Sequence, residues 1–143
     1  MKKSLIILIV ILLIGAIIAG VKYNDLKKEK LEIRKFNLNY EEYNKDNLNG
    51  LDITTLINRA ISNNEKFGVE KNEENLYNLE DENCIEIYIK MIINNTTYRM
   101  ERINNLGIDS FIEYFGEVSF KCIDIKYHKN GRIKSMTFEA KEY

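Results

Sequence analysis

Between Ser4 and Val21 the chain carries no charged residue, and Leu5 to Ile14 is Leu, Ile and Val without a break. Small residues, Gly15, Ala16, Ala19 and Gly20, then alternate with isoleucines. Roughly eighteen residues at ~1.5 Å each give a helix of about 26 Å, close to the hydrocarbon thickness of a bilayer. A helix folded onto a soluble core keeps a polar face, and this run has none. Lys3 and Lys22 flank it and are long enough to reach the two headgroup layers. The reading is a transmembrane helix from Leu5 to Val21, with the lipid bilayer as the partner of residues 4–21.

Whether such a segment is kept or removed is decided at its end. Signal peptidase requires small residues at positions −3 and −1 of the cut. Here Ile17 or Ile18 occupies −3, and the apolar run is longer than the core of a cleaved signal. The expectation is a retained signal-anchor. Pilin-like proteins share the layout of an apolar N-terminal helix, a spine and an antiparallel sheet, so a pilin-like structural subunit is the alternative. Their signature acid inside the apolar segment has no counterpart, since no Asp or Glu occurs between Met1 and Asn24. Lys2 and Lys3 precede the span, while Lys22, Lys27, Lys28, Lys30, Arg34 and Lys35 follow it. That balance alone favours a cytoplasmic C-terminal side. A domain of this length, however, translocates largely regardless of charge, and the reading adopted is a cell-membrane protein whose C-terminal domain is extracytoplasmic.

After the span about 120 residues remain, enough for one core. A net charge of −1 argues against a nucleic-acid partner, which would require a basic surface. The abundance of Ile, Asn, Lys and Glu with no Pro or Trp is the mark of an AT-rich coding genome.

Three divisions follow: a membrane anchor over 1–22, a helical stalk or linker over 23–47, and a small α+β domain over 48–143. In the domain, Asp52 is expected to cap a helix whose Ile53, Leu56, Ile57, Ala60 and Ile61 form one apolar face, ending near Asn63-Asn64. The segment from Gly68 to Asn83 is acidic and Asn-rich but lacks the alternating acids and central Gly of a calcium loop, so it reads as a solvated loop.

Two hairpins follow. In the first, Ile85, Ile87, Ile89, Met91 and Ile93 alternate with Glu86, Tyr88 and Lys90. A two-residue turn at Asn94-Asn95 would set Met91 opposite Tyr98, Ile89 opposite Met100, and Tyr88 opposite Glu101. In the second, Asn130-Gly131 is a strong turn signal. It would set Ile125 opposite Met136, Ile123 opposite Phe138, His128 opposite Ile133 and Cys122 opposite Glu139. A short helix over Ile108–Phe115 joins the hairpins. The fold class is α+β: an N-terminal transmembrane helix, then a four-stranded, mostly antiparallel sheet covered by one amphipathic helix.

At GLDITTLINRAISNNEK, followed by YRMERI, FKCIDIKYHKNGRI and MTFEA, the chain resembles an uncharacterised group of small membrane-anchored proteins of clostridia-type Firmicutes. The resemblance spans most of residues 48–140. It implies a fold unit and a bacterial membrane setting, and it assigns no activity to any residue.

The search for chemistry turns up little. The two cysteines, Cys84 and Cys122, lack metal-site spacing and read as half-buried free thiols in strands, with a disulfide between them the alternative if those strands are neighbours. His128 is the single histidine. Six residues along one strand separate it from Cys122 by about 20 Å, beyond hydrogen-bond reach. A thiol-dependent enzyme using Cys84 or Cys122 with His128 is therefore the weaker alternative. No cofactor, metal or catalytic constellation is assigned. What remains is the outer sheet face, where Tyr88, Arg99, Glu101, Lys126, His128 and Lys141 form a mixed, aromatic-bearing surface, either an ordinary solvated sheet face or a site for a protein partner in the envelope. The functional expectation is a single-pass anchored protein acting by binding or envelope assembly.

Overall fold

The structure is a computed structural model that describes residues 2–92 and 95–141. Its elements run α1 (Lys2–Glu41), α2 (Gly50–Lys66), β1 (Glu86–Met91), β2 (Thr96–Arg99), α3 (Met100–Leu106), α4 (Ile108–Phe115), β3 (Phe120–Tyr127) and β4 (Ile133–Ala140). Residues 1–35 form one compact unit and residues 36–143 another.

The second unit is α+β, as its alternating pattern suggested. Its sheet has the order β2-β1-β4-β3. The outer pairs are antiparallel, while β1 and β4 run parallel. The inward residues of β1, from Ile87 to Met91, meet Met136 and Phe138 of β4 to form one apolar layer. Across that layer lies α2, whose Ile53, Leu56, Ile57 and Ala60 are fully buried. Each of these larger side chains is worth roughly 1.5–3 kcal/mol of hydrophobic stabilisation. α2 does not cover the sheet alone, because α3 and α4 pack against it and α3 also meets β1 and β2.

Residues 36–47, expected in a stalk or linker, are part of this unit. Tyr40 and Tyr43 lie in its core, with Phe36 packed beside them. The Asn37 side chain accepts from the Ile133 amide and donates to the Gly131 carbonyl, tying the end of α1 to the second hairpin.

Local details depart from the pattern for identifiable reasons. The N-cap of α2 is Asn49, not Asp52; Asp52 sits at the third helical position and completes a reciprocal capping box with the Asn49 amide. Asn64 does not end the helix. It is buried inside the last turns, and Gly68 at φ +65° follows the end.

In the first hairpin β2 stops at Arg99, because Met100 starts a helix that turns Met100 and Ile103 into the core. Ile89 therefore faces Tyr98, Met91 faces Thr96, and Tyr88 faces Arg99. The shift from the expected register is two residues, so every side chain keeps its face. Ile93 of the expected strand and Asn94 of the expected turn lie outside the described residues.

In the second hairpin Ile125 faces Met136 as expected, but Cys122 faces Phe138 and Tyr127 faces Ile133. Three irregularities cause this: the loop itself and register shifts between Lys126 and Tyr127 and between Cys122 and Asp124. The loop is Lys129–Gly131, closed by hydrogen bonds between His128 and Arg132 and between Gly131 and His128, with Gly131 at φ +90°. That is a three-residue turn ending in a left-handed glycine rather than a two-residue turn. A bulge at Ile123 then pushes this side chain outward, where it is 43% exposed, and puts Cys122 opposite Phe138 in its place, with Phe120 buried beyond it.

Candidate functional site

α1 is long and apolar enough to cross a membrane: its best 18-residue window has a mean hydropathy of 2.7, and none of that window is buried within the protein. It contains the expected span, and by length and composition it suits a membrane anchor or a signal sequence.

The side chains expected on a common outer face are not held together as one surface. Tyr88 and Lys126 share a shallow hollow on the outer side of the sheet, with Thr97, Ser135 and Thr137. Lys126 is the more open of the pair and approaches Asp124 at 3.7 Å. Lys141 is half-buried at the end of β4 and reaches the side chain of Asn47. His128 turns to the chain before β1, where its Nε2 lies 2.8 Å from the carbonyl oxygen of Cys84.

Arg99 and Glu101 point into the protein. Arg99 bridges two buried carboxylates, Glu86 at 2.5 Å and Glu101 at 3.0 Å. Glu101 also accepts the amide of Tyr77, and Arg99 reaches the Tyr77 carbonyl. The acidic loop is thus pinned over the outer face of the sheet, with Val69 and Tyr77 buried, instead of standing free in solvent. Two buried carboxylates share one guanidinium that keeps an edge in water. Burial, opposed by the Arg99 hydrogen bond and reinforced by the neighbouring Glu101, pushes the Glu86 carboxyl up to about 8. Period-two alternation alone placed Glu86 on the solvent side. The signal for its burial was Tyr77, an aromatic in an otherwise polar loop.

Both thiols lie where burial disfavours the thiolate. Cys84 is buried, and desolvation, with help from Glu86 and Glu101, pushes its thiol up to about 12. The ring of His128 binds the Cys84 carbonyl. The Cys122 thiol is also raised, chiefly by burial, and lies 3.8 Å from the Asp124 carbonyl. Both cysteines are free. Among the described residues no group of His, Cys, Asp or Glu has metal-site geometry.

A predominantly apolar concavity lies elsewhere, where α3 and α4 meet the β1–β2 hairpin. It is a cleft of about 430 Å³ lined by Met91 and Tyr98 from the hairpin, Ile103 and Leu106 from α3, and Ser110, Phe111, Tyr114 and Phe115 from α4, with Gly107 between the helices. None of these residues carries a charge. Leu106 and Tyr114 are 68% and 74% exposed, so the cleft opens through apolar groups left in water. Its shape depends on Gly107, whose φ of +101° lets α3 and α4 follow one another with no intervening loop. Reading Met100–Ile103 as the rest of a strand hid this site, because α3 was not anticipated.

Comparison with protein-family models, curated proteins and solved structures gives no match to this chain.

Proposed function

We propose that the protein is a bacterial single-pass membrane protein whose α+β domain lies outside the cytoplasm and acts by binding, as a receptor for a ligand or a component of an envelope assembly. The observation that carries this reading is the α1 apolar segment. None of its best window is covered by the protein, so its surface needs a solvent other than water. The cleft between α3, α4 and the first hairpin is the site assigned to the binding role. It is concave and predominantly apolar, as ligand sites generally are.

Topology tests the membrane half of the proposal. Lys129 is exposed in the second hairpin loop, and Cys84 is buried. A Lys129→Cys, Cys122→Ala double variant therefore presents a single reactive thiol. Its modification by a membrane-impermeant maleimide on intact cells, in a protein of full-length mass that sediments with membranes, is the expected result. Modification only after lysis would place the domain in the cytoplasm. A mass short of the N-terminal segment would show that the helix is removed.

A second reading, a pilin-like subunit, has one feature in its favour. α1 is a single helical element from the apolar segment to Glu41, and its last residues enter the core of the domain. Recovery of the protein in sheared surface filaments, with a processed N-terminus, would promote that reading.

A further inference from the structure

We propose that the α3–α4 cleft binds the acyl chain of a long-chain fatty acid and that Arg102 receives its carboxylate; the inference rests on the reading of this cleft as the binding site. Three observations point to that chemistry. The first is what the walls can offer. Apart from the hydroxyls of Ser110, Tyr98 and Tyr114, the lining is hydrocarbon and aromatic ring. A peptide laid in the cleft would bring backbone N–H and C=O groups that require partners, whereas an alkyl chain brings none.

The second is the charge at the rim. Arg102 lies over the ring of Tyr98, 5.5 Å from its centroid, and is itself exposed. It stands one turn before Leu106 on α3, so it flanks the cleft with its guanidinium in water. The acids of α4, Asp109 and Glu113, fall outside the stripe of Ser110, Phe111, Tyr114 and Phe115 that faces the cleft. An anionic head at the mouth would therefore meet a cation beside an aromatic ring.

The third is size and setting. A volume of about 430 Å³ lies at the small end of ligand sites and suits one chain better than a two-chain lipid. An anchored domain would work beside a continuous supply of such molecules.

The chain has no tryptophan, so Tyr114→Trp gives the full-length protein a single fluorescent reporter at the rim. The variant is placed in phosphatidylcholine vesicles and titrated with a fatty acid brominated at mid-chain. The expected result is quenching that saturates and is reversed by excess unbrominated fatty acid. Adding Arg102→Ala should weaken the apparent affinity about tenfold, the value of one charge-assisted hydrogen bond. Binding of the methyl ester should be unchanged by the same substitution. Arg102 is exposed, so its loss leaves the fold intact.

Quenching that rises without saturation, or that brominated phospholipid produces equally well, would overturn the inference in favour of general contact with the bilayer. A reporter that becomes shielded as the protein-to-lipid ratio rises, with no response to fatty acid, would assign the cleft to a second copy of the chain; the inference would fall and the binding-site reading would stand. A reporter equally open to aqueous acrylamide under every condition would end both.

Discussion

Glu86 is an acid placed where the folded protein offers it no water, and this gives the domain a definite response to pH. Its carboxyl is raised to about 8 in the folded state, against an ordinary value near 4.3 in an unfolded chain. Between those values the folded protein holds a proton that the unfolded chain has lost. The contribution of Glu86 is therefore fully present below about pH 4.3 and is lost as pH rises through about 8. We expect the urea midpoint of the domain to fall from pH 5 to pH 8, and Glu86→Gln, which keeps a neutral group of the same shape, to flatten that decline. A wild-type midpoint that climbs over the same range would sink the assignment. Asn64 acts at the same scale. Its side chain accepts from the Ile85 amide at 2.9 Å and donates to the Ile85 carbonyl at 2.9 Å, imitating a strand neighbour at the entry to β1. Asn64→Ala leaves both backbone groups buried without a partner, so a loss of about 2–4 kcal/mol is expected by chemical denaturation. A cost near zero would mean that water replaces the clamp.

The elements meet at points where single atoms decide the fit. The start of α2 presses on the end of α4 at Gly50, whose amide donates to the Gly116 carbonyl at 3.0 Å. A methyl group at this position would collide with the Phe115 carbonyl oxygen, a backbone atom that cannot swing aside. Gly50→Ala should therefore cost about 1–3 kcal/mol although it improves helix propensity, and differential scanning calorimetry would register it as a lowered melting temperature. An equal substitution at Gly131 meets no steric obstacle, and its cost would come from φ alone. Elements of this kind were unequally legible in the sequence. The apolar face of α2 and the alternation of β1 were plain because hydrophobic periodicity is a local property. Fine register was not: the three-residue loop, the shift between Lys126 and Tyr127 and the Ile123 bulge each move the pairing by one, and no local pattern marks any of them. The end of β2 was missed because TTYRMERI alternates well enough for a strand. Its helical half begins where Glu86 of the neighbouring strand accepts the Met100 amide, a contact that no local pattern announces. The candidate cleft went unseen for the same reason, since it exists only once Met100–Leu106 is a helix.

At the scale of the whole molecule, the compact unit that contains the sheet begins near Phe36 and not at Leu48. A fragment starting at Phe36 should fold cooperatively, while one starting at Leu48 loses Phe36, Tyr40 and Tyr43 from the core. Circular dichroism melts of the two fragments would show this as a sharp transition against a broad or lowered one; equal transitions would return residues 36–47 to the role of linker. The strand order has a further consequence for biogenesis. β4 is the last strand of the series and a central one, and without it β1 and β3 share no neighbour. At about 5–20 residues per second of synthesis, a ribosome would have emitted the apolar segment several seconds before residue 140 exists. For that interval the nascent domain lacks the strand that joins β1 to β3, so its sheet cannot be completed until synthesis is nearly over.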